Sequence, residues 1–182
     1  MKWMIASDLH GAAYYCKLLM QRWAEEQADT LIFLGDILYH GPRNDLPRDY
    51  APKEVIAMLN PLADKLLCVR GNCDCEVDQM VLPFPVLADY GFLLLGGRAV
   101  YLTHGHVINK AHPLPFAKGD ILLHGHTHVP ACEDCGDFTY LNPGSVSIPK
   151  ENSPHSYMIY EDGVFSWKNL ETGETYRTFS IS

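Results

Sequence analysis

The sequence predicts a mixed α/β fold, and three observations predict it. Short apolar runs at residues 2–6, 30–34 and 65–69 alternate with two segments of helical periodicity. Each run ends abruptly in a polar residue or a Gly-polar pair. The last third of the chain is strand-rich and punctuated by Asp-Gly and Thr-Gly turns.

Lys2 to Ala6 is apolar enough for a buried first strand and leads into the polar stretch SDLHG. Over residues 12–27, Leu18, Leu19, Trp23 and Ala24 share one face at helical spacing, which predicts a helix. TLIFLGD (30–36) is a second buried strand that leaves the sheet as Gly-Asp. APKEVIAMLNPLA (51–63) has Pro52 near a helix start and Ile56, Leu59 and Leu62 as an apolar stripe. KLLCVRGN (65–72) is a third strand, ending in Gly plus a polar residue. This β-α-β-α-β opening implies parallel strands with crossover helices and functional loops at the strand C-termini.

Farther on, FLLLGGRAVYLTHGH (92–106) reads as two strands around a Gly-Gly turn, and DILLHGHTH (120–128) as another strand running into a loop. The remainder reads as a meander of strands. Residues 38–52, rich in Pro, Gly and charge, read as a long loop, either a surface connection or a substrate-facing lid. No repeat or linker interrupts the 182 residues, so one domain over 1–182 is expected.

Hydrophobic content of 47% and charged content of 20% are globular values and argue against disorder. A net charge of -8 leaves no basic surplus for coating nucleic acid, although bound cations would reverse the sign of a local site. WMIAS after Met1 and Lys2 is too short for a signal peptide, and no run approaches a membrane span. The expectation is a cytoplasmic protein whose six cysteines stay reduced.

The strand ends collect Asp8 and His10, Asp36, Asn72, His104 and His106, and His126 and His128. Taken singly each has a bland reading, since a Gly-Asp is commonly a turn and a buried His commonly a core residue. Together they bring carboxylates, an amide and imidazoles to one sheet edge, a costly convergence without a cation. Seven ligands are too many for one tetrahedral ion and suit two ions sharing a carboxylate. Mixed oxygen and nitrogen donors favour Mn, Fe, Ni, Co or Zn over Ca or Mg. A pair about 3.5–4 Å apart clamps a phosphate and activates water.

D-x-H, G-D, G-N-x-D, H and G-H-x-H in that order resemble the calcineurin-like metallophosphoesterase superfamily. GDILYHGPRND (35–45), VRGNCDCEVDQM (69–80), LTHGH (102–106), HGHTHVP (124–130) and NPGSVSIPK (142–150) resemble its small bacterial phosphodiesterases in particular. The resemblance implies a four-layer α/β/β/α sandwich. It also implies that Asp8, His10 and His128 hold a first metal, Asn72, His104 and His126 a second, and that Asp36 bridges them. Two divalent ions, manganese first, and hydrolysis of small phosphodiesters by a metal-bridging hydroxide are then expected, with Asp36, Asn72 and His106 in the catalytic machinery. A phosphomonoesterase or nucleotide pyrophosphatase on the same site is the enzymatic alternative. A protein-binding scaffold, like the retromer subunit of this fold, is the alternative of another class. A homodimer is expected from the family alone.

Arg43 can clamp a phosphate oxygen or be a solvated loop residue. His106 can contact substrate or steady a neighbouring ligand. Asp74 can support the loop carrying Asn72 or pair with a cation, and NPGS (142–145) reads as a structural turn behind the site. Cys73, Cys75, Cys132 and Cys135 pose a second question, because C-x-C with C-x2-C allows a separate thiolate zinc site. Cys16 and Cys68 read as core residues. Many members of the superfamily carry His where this chain has Cys73, and a thiol is a poorer acid and donor than imidazolium.

Overall fold

The computed structural model describes residues 1–181. Its first strand, β1 (Lys2–Ala6), is buried on both faces, which is why its sequence is continuously apolar. Met4 and Ala6 point to a core shared with helices, whereas Trp3 and Ile5 point to a second core between two sheets. β2 (Thr30–Phe33) divides the same way, with Leu31 and Phe33 on the helix side and Ile32 on the other.

Helix α1 (Ala13–Glu26) joins these strands and buries Ala13, Cys16 and Leu19. Helix α2 (Pro52–Leu59) starts on the expected proline and buries Val55 and Leu59. Its predicted continuation to residue 63 tightens into a 3-10 segment, Asn60–Lys65, because Pro61 offers no N–H to an α-helical ladder. β3 (Leu66–Cys68) then pairs parallel with β2, as β2 does with β1.

A short helix, α3 (Glu76–Val81), was not legible in the sequence. It leaves Val77, Met80 and Val81 exposed, so no buried stripe gives it a period. Its start is visible only in three dimensions, where the Cys75 N–H donates to Asp78 Oδ2 at 2.9 Å.

β4 (Gly91–Leu95) and β5 (Arg98–Thr103) form the predicted hairpin. β6 (Asp120–His124), β7 (Ala131–Asp134) and β8 (Phe138–Asn142) complete a five-stranded sheet in the order β4-β5-β6-β8-β7. The meander β9 (Ser156–Glu161), β10 (Val164–Asn169) and β11 (Thr175–Ser180) returns to the first sheet, where β9 pairs antiparallel with β1. That sheet runs β11-β10-β9-β1-β2-β3.

The architecture is mixed α/β, two sheets flanked by helices, of the sandwich type expected. α1 and α2 cover the six-stranded sheet. Over the outer face of the five-stranded sheet, Phe116 packs on Leu122, Phe138 and Tyr140. The C-terminal ends of parallel β1, β2 and β3 face those of parallel β5 and β6, and the loops leaving them meet at one edge.

Candidate metal centre

The loops after β1 and β2 stay bonded beyond the strands. Asp8 N–H donates to Gly35 O at 3.1 Å, and the N–H groups of Leu9 and His10 both donate to Asp36 O, at 3.0 and 2.9 Å. Asp8, His10, Asp36, His126 and His128 all take left-handed backbone, with φ between 52° and 65°. Non-glycine residues pay for that conformation, and its concentration here marks a site whose geometry is imposed by its surroundings. Gly71 is forced by crowding, because a Cβ there would lie 2.0 Å from Asp36 Oδ1.

The side chains converge. Asp8 Oδ1 lies 3.2 Å from His128 Nε2, 3.7 Å from His10 Nε2 and 4.0 Å from His104 Nε2. Asp36 Oδ2 lies 3.4 Å from His104 Nε2 and 3.8 Å from His10 Nε2. Asn72 Oδ1 and His126 Nδ1 stand 3.0 and 3.2 Å from His104 Nε2. Thus all seven residues expected as ligands from the sequence come together around Asp8 and Asp36.

Backbone carbonyls orient the rings. Nδ1 of His10 meets Tyr39 O at 2.9 Å, that of His128 meets Ile148 O at 2.6 Å, and that of His104 meets Leu34 O at 2.6 Å. Proton donation at Nδ1 leaves Nε2 as a lone pair aimed inward, the arrangement that metal-ligating histidines use.

The residues fit a cation on two observations. Asp8 Oδ1 is buried with no hydrogen-bond partner although three imidazoles surround it. The charge balance also demands positive charge. Burial opposes protonation of His104, but the Asp36 and Asp8 carboxylates outweigh it and raise the ring to about 9, so that Nε2 draws a proton wherever no bound cation takes the lone pair. Burial likewise opposes ionisation of Asp8, yet His10 and His128 hold it well below the usual carboxylate range. His126 is pushed down to about 4 by burial and the His104 charge, which leaves it a neutral donor atom. Two compact groups of ligand atoms arise from this set, Asp8 with His10 and His128, and Asp8 with Asp36 and His104.

A cleft of about 880 Å³ opens over the centre, lined by His10, Asp36, Asn72, Cys73, Arg43 and Lys150 among others. Pro42, Arg43 and Asn44 make residues 38–52 face this cleft, in line with the substrate-facing of the two readings. His106 lies apart from the cleft, its ring centroid 5.3 Å from that of His104 and 6.1 Å from that of His126. Burial and the His104 charge push it below its ordinary value.

Several supporting residues escaped sequence reasoning. Ser145 and Ser147 hydroxyls both donate to Asp8 O, at 2.8 and 3.0 Å, and so hold the strained Asp8 backbone from behind. Lys150 adds a second cation to the cleft wall. The NPGSVSIPK stretch carries all three in sequence, but their reach across the fold appears only in the tertiary structure. For Asp74 the loop-supporting alternative holds. It is buried and accepts N–H bonds from Asp36, Ile37 and Gly71 at 2.8, 2.9 and 2.7 Å.

The cysteines do not form a second centre. All six are free, and Cys132 packs in the inter-sheet core whereas Cys135 packs on the outer face of the same sheet. Among the described residues, the one ligand group that includes a thiol is Cys73 with His10 and Asp36. Burial and the nearby Asp36 carboxylate raise the Cys73 thiol, so it is neutral at working pH. No helix among the described residues is long and apolar enough to cross a membrane.

Known proteins are similar to this chain in sequence and fold. The sequence profile of the calcineurin-like phosphoesterase superfamily domain matches residues 1–162. The chain is 45% identical over 166 residues to phosphodiesterase YfcE of Escherichia coli K12, a match covering 91% of this chain and 90% of the relative. The solved structure of YfcE, described as a phosphoesterase from E. coli, superposes with a TM-score of 0.97 at 42% identity over the full length of both chains. Vps29 of Entamoeba histolytica, solved in complex with Zn2+, shares the fold with a TM-score of 0.66 at 20% identity over both full chains. Family profile, sequence identity and superposition agree with one another: the chain belongs to the calcineurin-like phosphoesterase superfamily.

Proposed function

We propose that the chain is a metal-dependent phosphodiesterase acting on small phosphodiesters, with the whole of residues 1–182 forming one catalytic domain. One observation carries the reading: seven ligand residues converge at the base of an open cleft around a buried, unpartnered Asp8 oxygen. Asp8, His10 and His128 would hold one divalent ion and Asn72, His104 and His126 a second, with the Asp36 carboxylate, 3.8 Å from His10 and 3.4 Å from His104, within reach of both groups. Manganese is the first choice and Ni, Co, Fe or Zn the alternatives, given the mixed donor set. Divalent ions bound there supply Lewis-acid polarisation of the phosphoryl group and a water-derived nucleophile near neutral pH.

The chain's own residues do the remainder. The Asp36 and Asp8 carboxylates fix the cationic charge, and the carbonyl-anchored rings of His10, His104 and His128 keep their lone pairs inward. Arg43 and Lys150 on the cleft wall face the non-bridging oxygens of the substrate. His106 sits beside the second group of ligands but outside the cleft, and burial with the His104 charge disfavours its protonated form, so this reading gives it the steadying of a neighbouring ligand rather than donation of a proton. The raised Cys73 thiol argues against a covalent intermediate on sulfur.

A homodimer is part of this reading, supported by exposed Leu67, Phe92 and Leu94 on the edge strands β3 and β4. Light scattering should return a dimer mass that Leu94→Glu reduces to a monomer; a monomeric parent protein rejects it. Work in the cytoplasm is supported by six free thiols.

Metal analysis followed by a panel of diesters and monoesters with Mn, Ni, Co, Mg and Zn tests the function. Turnover of diesters with Mn is expected. Hydrolysis of monoesters alone would overturn the reading, and no turnover with any metal would leave the protein-binding alternative.

A further inference from the structure

The wall of the catalytic cleft carries one phenol ring. Tyr39 lines the same continuous space as His10, Asp36 and Asn72. The residue is 43% exposed, and its carbonyl oxygen is turned to His10 Nδ1 at 2.9 Å, so the exposed surface belongs mainly to the ring. Among the described residues the cation–π contacts fall on Tyr14, Tyr140 and Trp167, and no cation stands over Tyr39.

An exposed tyrosine is ordinary, but this one is held in place beside the metal ligands. Its ring meets His40 edge to face, with centroids 4.8 Å apart and planes at 69°, and His40 in turn meets Tyr50 at 5.2 Å and 77°. Tyr50 closes the row on the ligand loop, lying so near Gly11 that a Cβ there would fall 2.6 Å from its Cε2. The backbone ties the same segments, with the Ala13 N–H donating to Asp49 O and the Ala51 N–H to Gly11 O, both at 2.9 Å. The row from Tyr39 to Tyr50 is thus anchored to residues 10–13 at both of its ends. His40 takes one side of the Tyr39 ring, and the exposure of the residue leaves surface open on the cleft. A ring fixed from behind and open in front offers contact area at little cost in conformational entropy.

Charge and apolar surface are divided along the cleft. Arg43 and Lys150 meet the phosphoryl charge, whereas Tyr39, next to Pro42, offers apolar area to an organic arm. We propose that the Tyr39 ring is a specificity-determining platform on which one ester arm of the substrate stacks. It favours diesters with a flat aromatic or heterocyclic arm over those with small alkyl arms. The inference rests on the phosphodiesterase reading, since it names the substrate class of that same cleft.

Diphenyl phosphate and dimethyl phosphate, titrated by calorimetry into the metal-loaded protein, test it. Both are monoanions with the same phosphoryl centre, so the ratio of their dissociation constants isolates the arms and cancels any general loss of affinity. The parent protein should bind the diphenyl ester about tenfold more tightly, the scale of one stacked ring pair. Tyr39→Phe should keep that ratio, and Tyr39→Ala should bring it to about one. Neither substitution removes the carbonyl that His10 uses, so metal content by elemental analysis should match the parent's in both. No diphenyl preference in the parent protein, or one undiminished in the alanine variant, would overturn the proposal. Loss of the preference in the phenylalanine variant would overturn it too, because the hydroxyl and not the ring would then decide. A preference that follows the Tyr39 ring, in a protein that hydrolyses no diester, would support the platform and reject the phosphodiesterase reading instead.

Discussion

Replacing Asp74 by Asn changes one atom and should disturb two metal-bearing loops at once. Asp74 Oδ2 accepts the N–H groups of Asp36 and Gly71, and Oδ1 accepts that of Ile37. An amide has one acceptor oxygen, and its better orientation keeps the two bonds at the Oδ2 position. Its NH2 group then faces the Ile37 N–H, at a residue with no solvent exposure. Stranding that donor costs about 1–3 kcal/mol, and the two remaining bonds lose their charge assistance, about 1 kcal/mol each. The neutral amide recovers part of this because it is cheaper to bury, and burial together with Asp36 already raises the Asp74 carboxyl. The net loss should be about 2 kcal/mol, read as a lower urea midpoint at unchanged slope. The same bonds hold Asp36 at φ 57° and anchor Gly71 beside Asn72, so metal affinity should fall about 10–100-fold. Urea unfolding with and without metal, followed by metal titration, measures both. Coincident midpoints together with unchanged metal affinity would refute the reasoning.

Further outcomes follow from other parts of the structure. Gly71→Ala forces a methyl to within 2.0 Å of Asp36 Oδ1, so metal content should drop more than tenfold by elemental analysis; full occupancy would show that the loops can part. Cys73→Ser should leave metal content unchanged, since sulfur is not among the seven proposed ligands, and Cys73→His should extend turnover to esters with poorer leaving groups. Loss of metal in the serine variant would contradict this assignment. Glu26 accepts bonds from Lys168 and Tyr157 and pairs with Lys2 at 3.2 Å. Burial opposes its ionisation, but these partners win and lower its pKa, so the stabilisation is present above the unfolded value and lost as pH falls through the lower folded value. Glu26→Gln should therefore cost about 1–2 kcal/mol at pH 7, between exposed and buried pairs, and progressively less below about pH 4. A difference that stays constant from pH 7 to pH 3 would count against the network.

Much of the site was legible in the chain because its grammar is local. A buried strand has to be apolar, and a strand entering a metal-bearing loop must change at once to Gly and ligand residues. Asp8, Asp36, Asn72, His104 and His126 each sit just past such a run. α1 and the start of α2 were legible for a similar reason, since one face of each is buried and Pro52 marks an N-terminus. The long loop over 38–52 was legible as a loop, but its position on the cleft was not.

What the chain determined by itself, then, was the set of groups delivered to the strand ends and the kind of ion their mixture suits. Tertiary structure decided how they meet. His10 and His128 stand 118 residues apart in sequence and 3.3 Å apart in space, a closure that follows from two sheets placing their parallel C-terminal ends face to face. The left-handed backbone of five site residues, a conformation Asp and His tolerate better than most side chains, is fixed in place by bonds from distant loops, such as Ser145 and Ser147 on Asp8 O. Local pattern encodes which side of a strand is wet or dry, whereas ligand distances and cavity shape are sums over long-range contacts and appear only when the chain is closed.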